Sequence, residues 1–216
     1  MLSALREGVA LAPNYRVLIQ PPVEQLTRWR DWKNAAWGWE ALSAARPYAL
    51  PPMLGAARAR AMSGEPAKAQ AWIDKVRKTR PDSPAWMGIA VVMAAQARDD
   101  LRAVELATEA IGKGLDDFAM LNAAFEAAWR ASRHDAAQVF MEKRMDAYPS
   151  TRQAGLILLG NMFTTGTRQP QRALTFCKAA MAISAPAERA YLLPRIPPVY
   201  WADLGFPNGA PGAGAR

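Results

Sequence analysis

The sequence predicts an all-α fold in which helical hairpins stack one on another along the chain. The chain contains 45 alanines among 216 residues, and alanine has the highest intrinsic helix propensity. Prolines also recur with a period of 34 residues, a length typical of helix–turn–helix repeats. A series of alanines has the same period and lies twelve residues before the proline register. The two series are Pro13, Pro47, Pro81 and Pro149, and Ala35, Ala69, Ala103 and Ala137.

The period places the elements in order. A single helix without a partner is expected at 2–12, and five hairpins follow it. Adjacent prolines at Pro21 and Pro22 are expected to shorten the first hairpin helix so that it begins near Pro22, because proline breaks helix interiors. At position 115, where the period would place a proline, the chain has Leu115. Gly112-Lys113-Gly114, directly before it, supplies a helix stop instead. The hairpins are predicted at 16–46, 50–80, 84–114, 118–148 and 152–183.

Two segments follow the repeats. A short helix and a proline-rich stretch at 186–204 are interpreted as a cap on the last hairpin. Residues 205–216 are rich in Gly, Ala and Pro and are expected to be disordered. The unpartnered first helix suggests that the chain is a fragment of a longer protein, because such a helix exposes an apolar stripe.

Four turn segments link this period to a known repeat. In these turns an Asp or Glu precedes or opens the second helix, where a carboxylate suits unpaired backbone amides. The segments lie at 31–35, 64–69, 98–103 and 132–137. They resemble the tetratricopeptide repeat (TPR), in which small residues lie where helices A and B cross and a proline ends helix B. The resemblance covers residues 1–185 and implies a right-handed α-solenoid.

Composition excludes several classes of protein. The sequence is 51% hydrophobic, so wholesale disorder is excluded. No segment reaches the run of about 18 apolar residues that a membrane span needs. The single Cys177 excludes an intrachain disulfide, and the single His134 excludes any site that needs two histidines. The net charge of +8 favours anionic partners.

No catalytic constellation, metal site or cofactor motif is predicted. His134 with Asp135 lacks an adjacent nucleophile and is interpreted as a solvated turn residue. Cys177 lies at a core-facing position and is interpreted as a buried thiol. The paired carboxylates Asp99-Asp100 and Asp116-Asp117 lie at helix starts, where caps are expected. The chain is therefore interpreted as non-enzymatic.

Candidate binding residues come from the A helices, which line the concave groove of such repeats. Arg58, Trp129 and Arg130 are the strongest candidates, because Arg and Trp dominate interface hot spots. Trp29 and Trp37 are expected to have an exposed face, whereas Trp32 and Trp39 are interpreted as packing residues. The full candidate set is Arg28, Arg58, Gln96, Asn122, Glu126, Trp129 and Arg130.

A second resemblance rests on three segments, 28–35, 39–42 and 195–205. They resemble parts of bacterial O-antigen ligases and pilin O-oligosaccharyltransferases, membrane proteins that carry a repeat domain after their last span. The resemblance implies a periplasmic accessory domain that helps to receive a lipid-linked glycan or its acceptor. It carries over no catalytic residue, because the glycan-transferring residues of that family lie in the membrane part.

Three functions remain open from the sequence. The first is a non-catalytic scaffold that holds a protein or peptide in its groove, either as this accessory domain or as a free-standing cytoplasmic adaptor. A lipid-linked glycan or an anionic membrane surface is a further candidate partner. A nucleic-acid-associated regulator is disfavoured, because the basic residues alternate with acids along all repeats instead of forming one stripe.

Overall fold

The computed structural model describes residues 2–11 and 16–206. This part of the chain is helical and contains no β-strand. Its α-helices are α1 (Leu2–Leu11), α2 (Arg16–Arg28), α3 (Trp32–Ala45), α4 (Leu50–Met62), α5 (Pro66–Thr79), α6 (Trp86–Gln96), α7 (Asp100–Gly112), α8 (Phe118–Arg130), α9 (His134–Ala147), α10 (Arg152–Thr165), α11 (Pro170–Ala182) and α12 (Pro186–Leu192).

The predicted fold class is confirmed: the chain is an α-solenoid of helical hairpins. Short turns join α2 to α3, α4 to α5, α8 to α9 and α10 to α11, and each of these pairs packs side by side. Each hairpin also packs on a neighbour within its own part of the chain, as α4 does on α3 and α10 does on α9. The bounds of α2 to α11 lie inside the five ranges predicted for the hairpins. That residues 1–185 form one domain stays a prediction.

By contact density the chain divides into two compact units. The first unit comprises residues 1–97 and 106–115, and the second comprises 98–105 and 116–216. In the first unit, residues of α2, α3 and α4 form one apolar cluster around Ile19, Val23 and Leu26. In the second unit, the largest fully buried side chains include Phe125, Phe140 and Phe163. Alanines and glycines fill many of the remaining core positions, which allows the helices to approach closely.

Helix α2 corrects the expectation about Pro21 and Pro22. The helix begins at Arg16 and continues through both prolines to Arg28. Each proline removes one backbone hydrogen bond, but the apolar stripe Ile19, Val23 and Leu26 spans the interruption and is at most 2% exposed. Burial of this stripe against α3 therefore outweighs the local preference of proline to end a helix.

The turn inside each hairpin has one residue in the left-handed region. These residues are Arg30 (φ 60°), Gly64 (φ 76°), Arg98 (φ 62°), Ser132 (φ 57°) and Arg168 (φ 53°). The first four are 34 residues apart. In the turn after α8, for example, the Arg133 amide donates to the Ala128 carbonyl at 2.8 Å, which is the hydrogen bond of a Schellman cap. The repeat thus imposes a left-handed conformation on residues other than glycine.

Replacing Ser132 by glycine is expected to stabilise the protein by about 0.5–1 kcal/mol. A left-handed conformation costs an L-residue about 1–2 kcal/mol, and the larger unfolded-state entropy of glycine offsets part of the gain. The Ser132 side chain is exposed, so little else changes. Thermal and urea unfolding measure the effect, with Ser150→Gly, at an exposed position without positive φ, as the control. A lower stability for Ser132→Gly than for the wild type would contradict the argument.

Carboxylates cap helices as the turn segments indicate. The Asp117 carboxylate accepts a hydrogen bond from the Met120 amide at 3.0 Å at the start of α8. The Asp31 carboxylate accepts one from the backbone amide of Asn34 at 3.4 Å at the start of α3. Asp99 accepts a hydrogen bond from the backbone amide of Arg102 at 3.3 Å. The prediction that acidic residues serve as caps is therefore confirmed for Asp31, Asp99 and Asp117, whereas Glu65 makes no side-chain cap hydrogen bond at the start of α5.

An ionic network ties α3, α4 and α5 together in the first unit. The Arg60 guanidinium donates to both carboxylate oxygens of Glu40, through Nε at 2.8 Å and Nη2 at 2.6 Å. The Trp72 indole donates to Glu40 at 3.1 Å, and Arg60 also pairs with Glu65. Burial raises the pKa of Glu40, but the hydrogen bonds from Arg60 and Trp72 outweigh it and lower that pKa overall. Hydrogen bonds from Lys68 and Arg60 lower the pKa of Glu65 to about 2.

The segment after α11 consists of α12 and three short 3₁₀ turns at Leu193–Arg195, Pro198–Tyr200 and Ala202–Leu204. Leu193, Ile196 and Tyr200 are buried, and the Asn161 side chain of α10 donates to the Arg195 carbonyl at 3.1 Å. In the predicted tail, Gly205 and Phe206 close the last turn. Residues 207–216 of that tail, like Pro13 of the proline register, lie outside the described residues.

Candidate functional site

The first unit contains a pocket of about 280 Å³ that is lined by three consecutive A helices, α2, α4 and α6, together with α3. Two indole rings and one guanidinium contribute to it. Because the lining residues come from helices of successive hairpins, the pocket exists only when the hairpins stack. The lining residues are Thr27, Trp32, Trp39, Pro51, Leu54, Gly55, Arg58, Ala59, Ala85 and Ile89.

Trp39 gives the pocket its shape. Its indole nitrogen donates to the Thr27 hydroxyl at 3.0 Å, which fixes the ring against α2. On the other side the ring lies on Gly55 of α4, so closely that a Cβ at this position would come within 2.5 Å of the ring. A glycine at residue 55 is therefore required by close packing, and the position of Trp39 depends on it.

Arg58 supplies a positive charge beside these rings. It lies half-buried on α4, four residues after Leu54, so both side chains point to the same side of the helix. A half-buried guanidinium next to aromatic rings recognises a carboxylate or a carbonyl more strongly than one in open solvent, because the local dielectric is lower. The pocket thus combines an apolar wall with one cationic group.

The sequence prediction singled out Arg58 but interpreted Trp32 and Trp39 as packing residues. Both Trp32 and Trp39 do pack against the apolar cluster of the first unit, and both residues also line the pocket. The sequence could have predicted that these two residues lie together, because Trp32 and Trp39 are seven positions apart and residues seven apart on a helix share a face. Arg28 and Gln96, the other candidates in this unit, are exposed at the ends of α2 and α6. They are not among the residues that line the pocket.

Three candidates in the second unit form a ladder of polar contacts along α8. The Asn122 amide donates to Glu126 at 2.8 Å, and Glu126 lies 4.0 Å from Arg130. Arg130 pairs with Asp100 through Nη2 at 2.6 Å. This hydrogen bond lowers the pKa of Asp100 and raises that of Arg130. Much of the hydrogen-bonding capacity of these groups is therefore used within the protein.

Arg144 completes this ladder and was not found from the sequence. It lies on α9 and is 4% exposed, and its Nη1 donates to Asn122 at 2.6 Å. Burial lowers the pKa of its guanidinium, and its Nε has no hydrogen-bond acceptor. Its guanidinium lies 5.4 Å from the centroid of the Phe118 ring. A long-range polar contact of this kind leaves no trace in the repeat period.

The remaining tryptophans divide between packing and exposure. Trp129 of the candidate set is half-buried and lies against Phe125, with ring centroids 5.6 Å apart. Trp29 and Trp37 are 62% and 37% exposed, as predicted. Trp129 is thus partly a packing residue, whereas Trp29 presents its ring to solvent.

Cys177 and His134, the residues with the greatest intrinsic chemical reactivity, lie in packed surroundings. Cys177 is buried, as predicted, and burial raises the pKa of its thiol to about 11. The His134 ring lies against Gly166, in the turn of the next hairpin, and is half-buried instead of fully solvated. Over residues 2–11 and 16–206, no three His, Cys, Asp or Glu side chains are grouped as a metal site. In the same part of the chain, no helix has the length and apolar character of a membrane span.

Comparison with known proteins supports the fold. No protein-family profile and no curated protein sequence matches this chain. Among solved structures, the human IFIT1 dimer with PPP-AAAA is similar, with a TM-score of 0.56 and 10% sequence identity. The similarity covers 90% of this chain and 48% of the IFIT1 chain, so this chain spans about half the length of that protein. IFIT1 is a TPR-containing helical protein, and this chain has the same TPR-like helical fold.

Proposed function

We propose that this chain is a non-catalytic scaffold that binds a protein or peptide partner, with the pocket beside Trp39 as its anchor site. The observation that carries the proposal is the pocket itself, in which three stacked A helices bring together two indole rings and Arg58. Stacked helical repeats commonly use the faces of successive helices to hold an extended segment.

The size of the pocket favours one anchor side chain over a cofactor. Its volume of about 280 Å³ lies just below the range of about 300–1,000 Å³ that is usual for small-molecule sites. An aromatic or large aliphatic side chain in contact with Trp32 and Trp39 buries apolar surface of the kind that dominates interface hot spots. Arg58 then selects partners that place an acidic side chain or a free carbonyl beside that anchor.

A random 12-residue peptide library displayed on phage tests the proposal. Peptides selected by the wild-type chain are expected to pair a large apolar residue with a nearby acidic one. Ala85→Phe, at the residue before α6, fills the pocket, and Arg58→Glu reverses its charge. Each is expected to weaken the binding of a selected peptide by about tenfold or more. The matched control is Arg102→Glu, at an exposed arginine that does not line the pocket. Equal binding by all four chains would refute the anchor site.

RNA is a second candidate partner, favoured by the net charge of +8 and by the similarity to a structure that contains PPP-AAAA. The same oligonucleotide is the direct probe, measured by fluorescence anisotropy at two salt concentrations. Binding that weakens steeply with salt, and that Ala85→Phe leaves unchanged, would support RNA over a peptide as the partner. Binding that is absent at both salt concentrations removes this candidate.

The accessory role in an O-antigen ligase or O-oligosaccharyltransferase is a finer form of the scaffold proposal. It is supported by the resemblance of segments 28–35, 39–42 and 195–205. The gene that encodes the chain tests it. A multi-span membrane region encoded upstream in the same reading frame supports this role and a periplasmic location. A gene without such a region removes both.

A further inference from the structure

A second cavity, of about 320 Å³, lies in the second unit beside the end of α11. It is separate from the anchor pocket and has a different chemical character. Helix α11 supplies one wall, α12 supplies a second, and the final turn of the described chain closes it. The lining residues are Lys178, Met181, Ala182, Arg189, Asp203, Leu204, Gly205 and Phe206.

The final turn is held in place by specific hydrogen bonds. The Trp201 indole nitrogen donates to the carbonyls of Leu193 and Ile196, at 3.1 and 3.0 Å. Gly205 adopts the left-handed conformation at φ 89°, and the Phe206 amide donates to the Trp201 carbonyl at 2.8 Å. The wall formed by Leu204 and Phe206 is therefore part of a closed helical cap.

Two cations line this cavity without a carboxylate partner. Within the described part of the chain, neither Lys178 nor Arg189 has an Asp or Glu oxygen within 4.0 Å. The Nε of Arg189 is buried and has no hydrogen-bond acceptor. Because this Nε is shielded from solvent, an anion in the cavity would have to contact the guanidinium through its outer nitrogens.

The remaining lining is apolar, apart from one carboxylate. Met181 is 7% exposed, and Ala182, Leu204 and Phe206 also contribute apolar surface. Asp203 is exposed and offsets one of the two positive charges. The cavity thus carries one net positive charge above an apolar wall, which matches a ligand with a single anionic head and a short apolar chain.

We propose that this cavity binds a small amphipathic anion, with Lys178 and Arg189 at its carboxylate or phosphate head and Met181, Leu204 and Phe206 along its apolar part. Carboxylates and phosphate monoesters both have an anionic head, and two probes distinguish these two classes of ligand. Hexanoate represents carboxylates, and hexyl phosphate represents phosphate monoesters. Inorganic phosphate lacks the apolar chain and hexanol lacks the anionic head, so both are expected to bind more weakly.

Calorimetric titration of the full chain with these four probes tests the proposal. At least one amphipathic anion is expected to bind about tenfold or more tightly than inorganic phosphate and than hexanol. The double variant Lys178→Gln with Arg189→Gln is expected to weaken that binding by about tenfold or more. Asp203→Asn removes the opposing charge and is expected to tighten binding, an effect that a purely structural role would not produce.

The matched control is Lys143→Gln, at an exposed cation of α9 that does not line the cavity. It is expected to leave binding unchanged, and circular dichroism checks that every variant is folded. Three outcomes would overturn the proposal: neither hexanoate nor hexyl phosphate binds, inorganic phosphate or hexanol binds as tightly as the tighter of these two anions, or the folded double variant keeps wild-type affinity. Failure of these tests leaves the peptide scaffold unaffected, because that proposal rests on a different pocket.

Discussion

Replacing Gly55 by alanine is expected to destabilise the protein by about 1–3 kcal/mol, although alanine is the better helix former. The added Cβ would lie 2.5 Å from one carbon of the Trp39 ring and 2.8 Å from two others. The ring is rigid and is hydrogen-bonded to Thr27 on its far edge, so it has little freedom to move aside. Overpacking of this kind typically costs about 1–3 kcal/mol, more than the helix propensity returns.

Gly112 provides the matched control, because it is also helical and a Cβ there would meet nothing within 4 Å. Gly112→Ala is expected to leave stability unchanged or to raise it by up to about 1 kcal/mol. Urea unfolding followed by circular dichroism measures both variants. Indole fluorescence reports whether the ring environment changes in Gly55→Ala. A Gly55→Ala variant at least as stable as the wild type would show that the ring is not held as described.

The 34-residue period predicts most of the fold because it reflects a physical repeat. A hairpin of fixed length must close with the same turn each time, so helix ends and crossing points recur at fixed intervals. The left-handed turn residues have this period too, but the sequence does not reveal them, because only Gly64 is a glycine. Stacking forces Arg30, Arg98 and Ser132 into a conformation that their residue types do not favour.

The period does not predict helix α2 or the side-chain pairing. Pro21 and Pro22 are strong local signals, yet a buried stripe on both sides of them keeps the helix intact. Propensity is a local quantity, whereas burial depends on the neighbouring helix.

The same limit applies to the candidate site. Arg58 was found because its residue type suits an interface, and it lines a pocket. Arg130 was chosen for the same reason, and Asn122 and Glu126 by helical position, but these three residues bind each other or Asp100. Arg144, which joins them from α9, lies 22 positions from Asn122 in the sequence. Long-range pairing of this kind depends on tertiary packing, which a single sequence does not display.

Replacing Glu40 by glutamine is expected to lower stability at neutral pH by about 1.5–3 kcal/mol. The substitution keeps the shape of the side chain but removes the charge that Arg60 contacts through two hydrogen bonds. A hydrogen bond to a charged group contributes about 1.5–3 kcal/mol to stability. The Arg60 and Glu40 side chains are only 15% and 27% exposed, so solvent screens the pair less than it screens surface pairs. Glu105→Gln is the control, since the pair of Glu105 with Arg102 is largely exposed and should contribute at most about 1 kcal/mol.

The pH dependence separates this charge effect from a packing defect. Because the pKa of Glu40 is lower in the folded state than in the unfolded state, its contribution is fully present above its unfolded pKa of about 4.3. The contribution is lost as the pH falls through the lowered value. The stability difference between wild type and Glu40→Gln should therefore shrink once the pH is below about 4. Glu65, whose pKa is about 2, titrates in both proteins. Urea unfolding at pH 7 and at pH 2.5 measures this, and a difference that stays constant between the two pH values would mean that shape, and not charge, decides the role of Glu40.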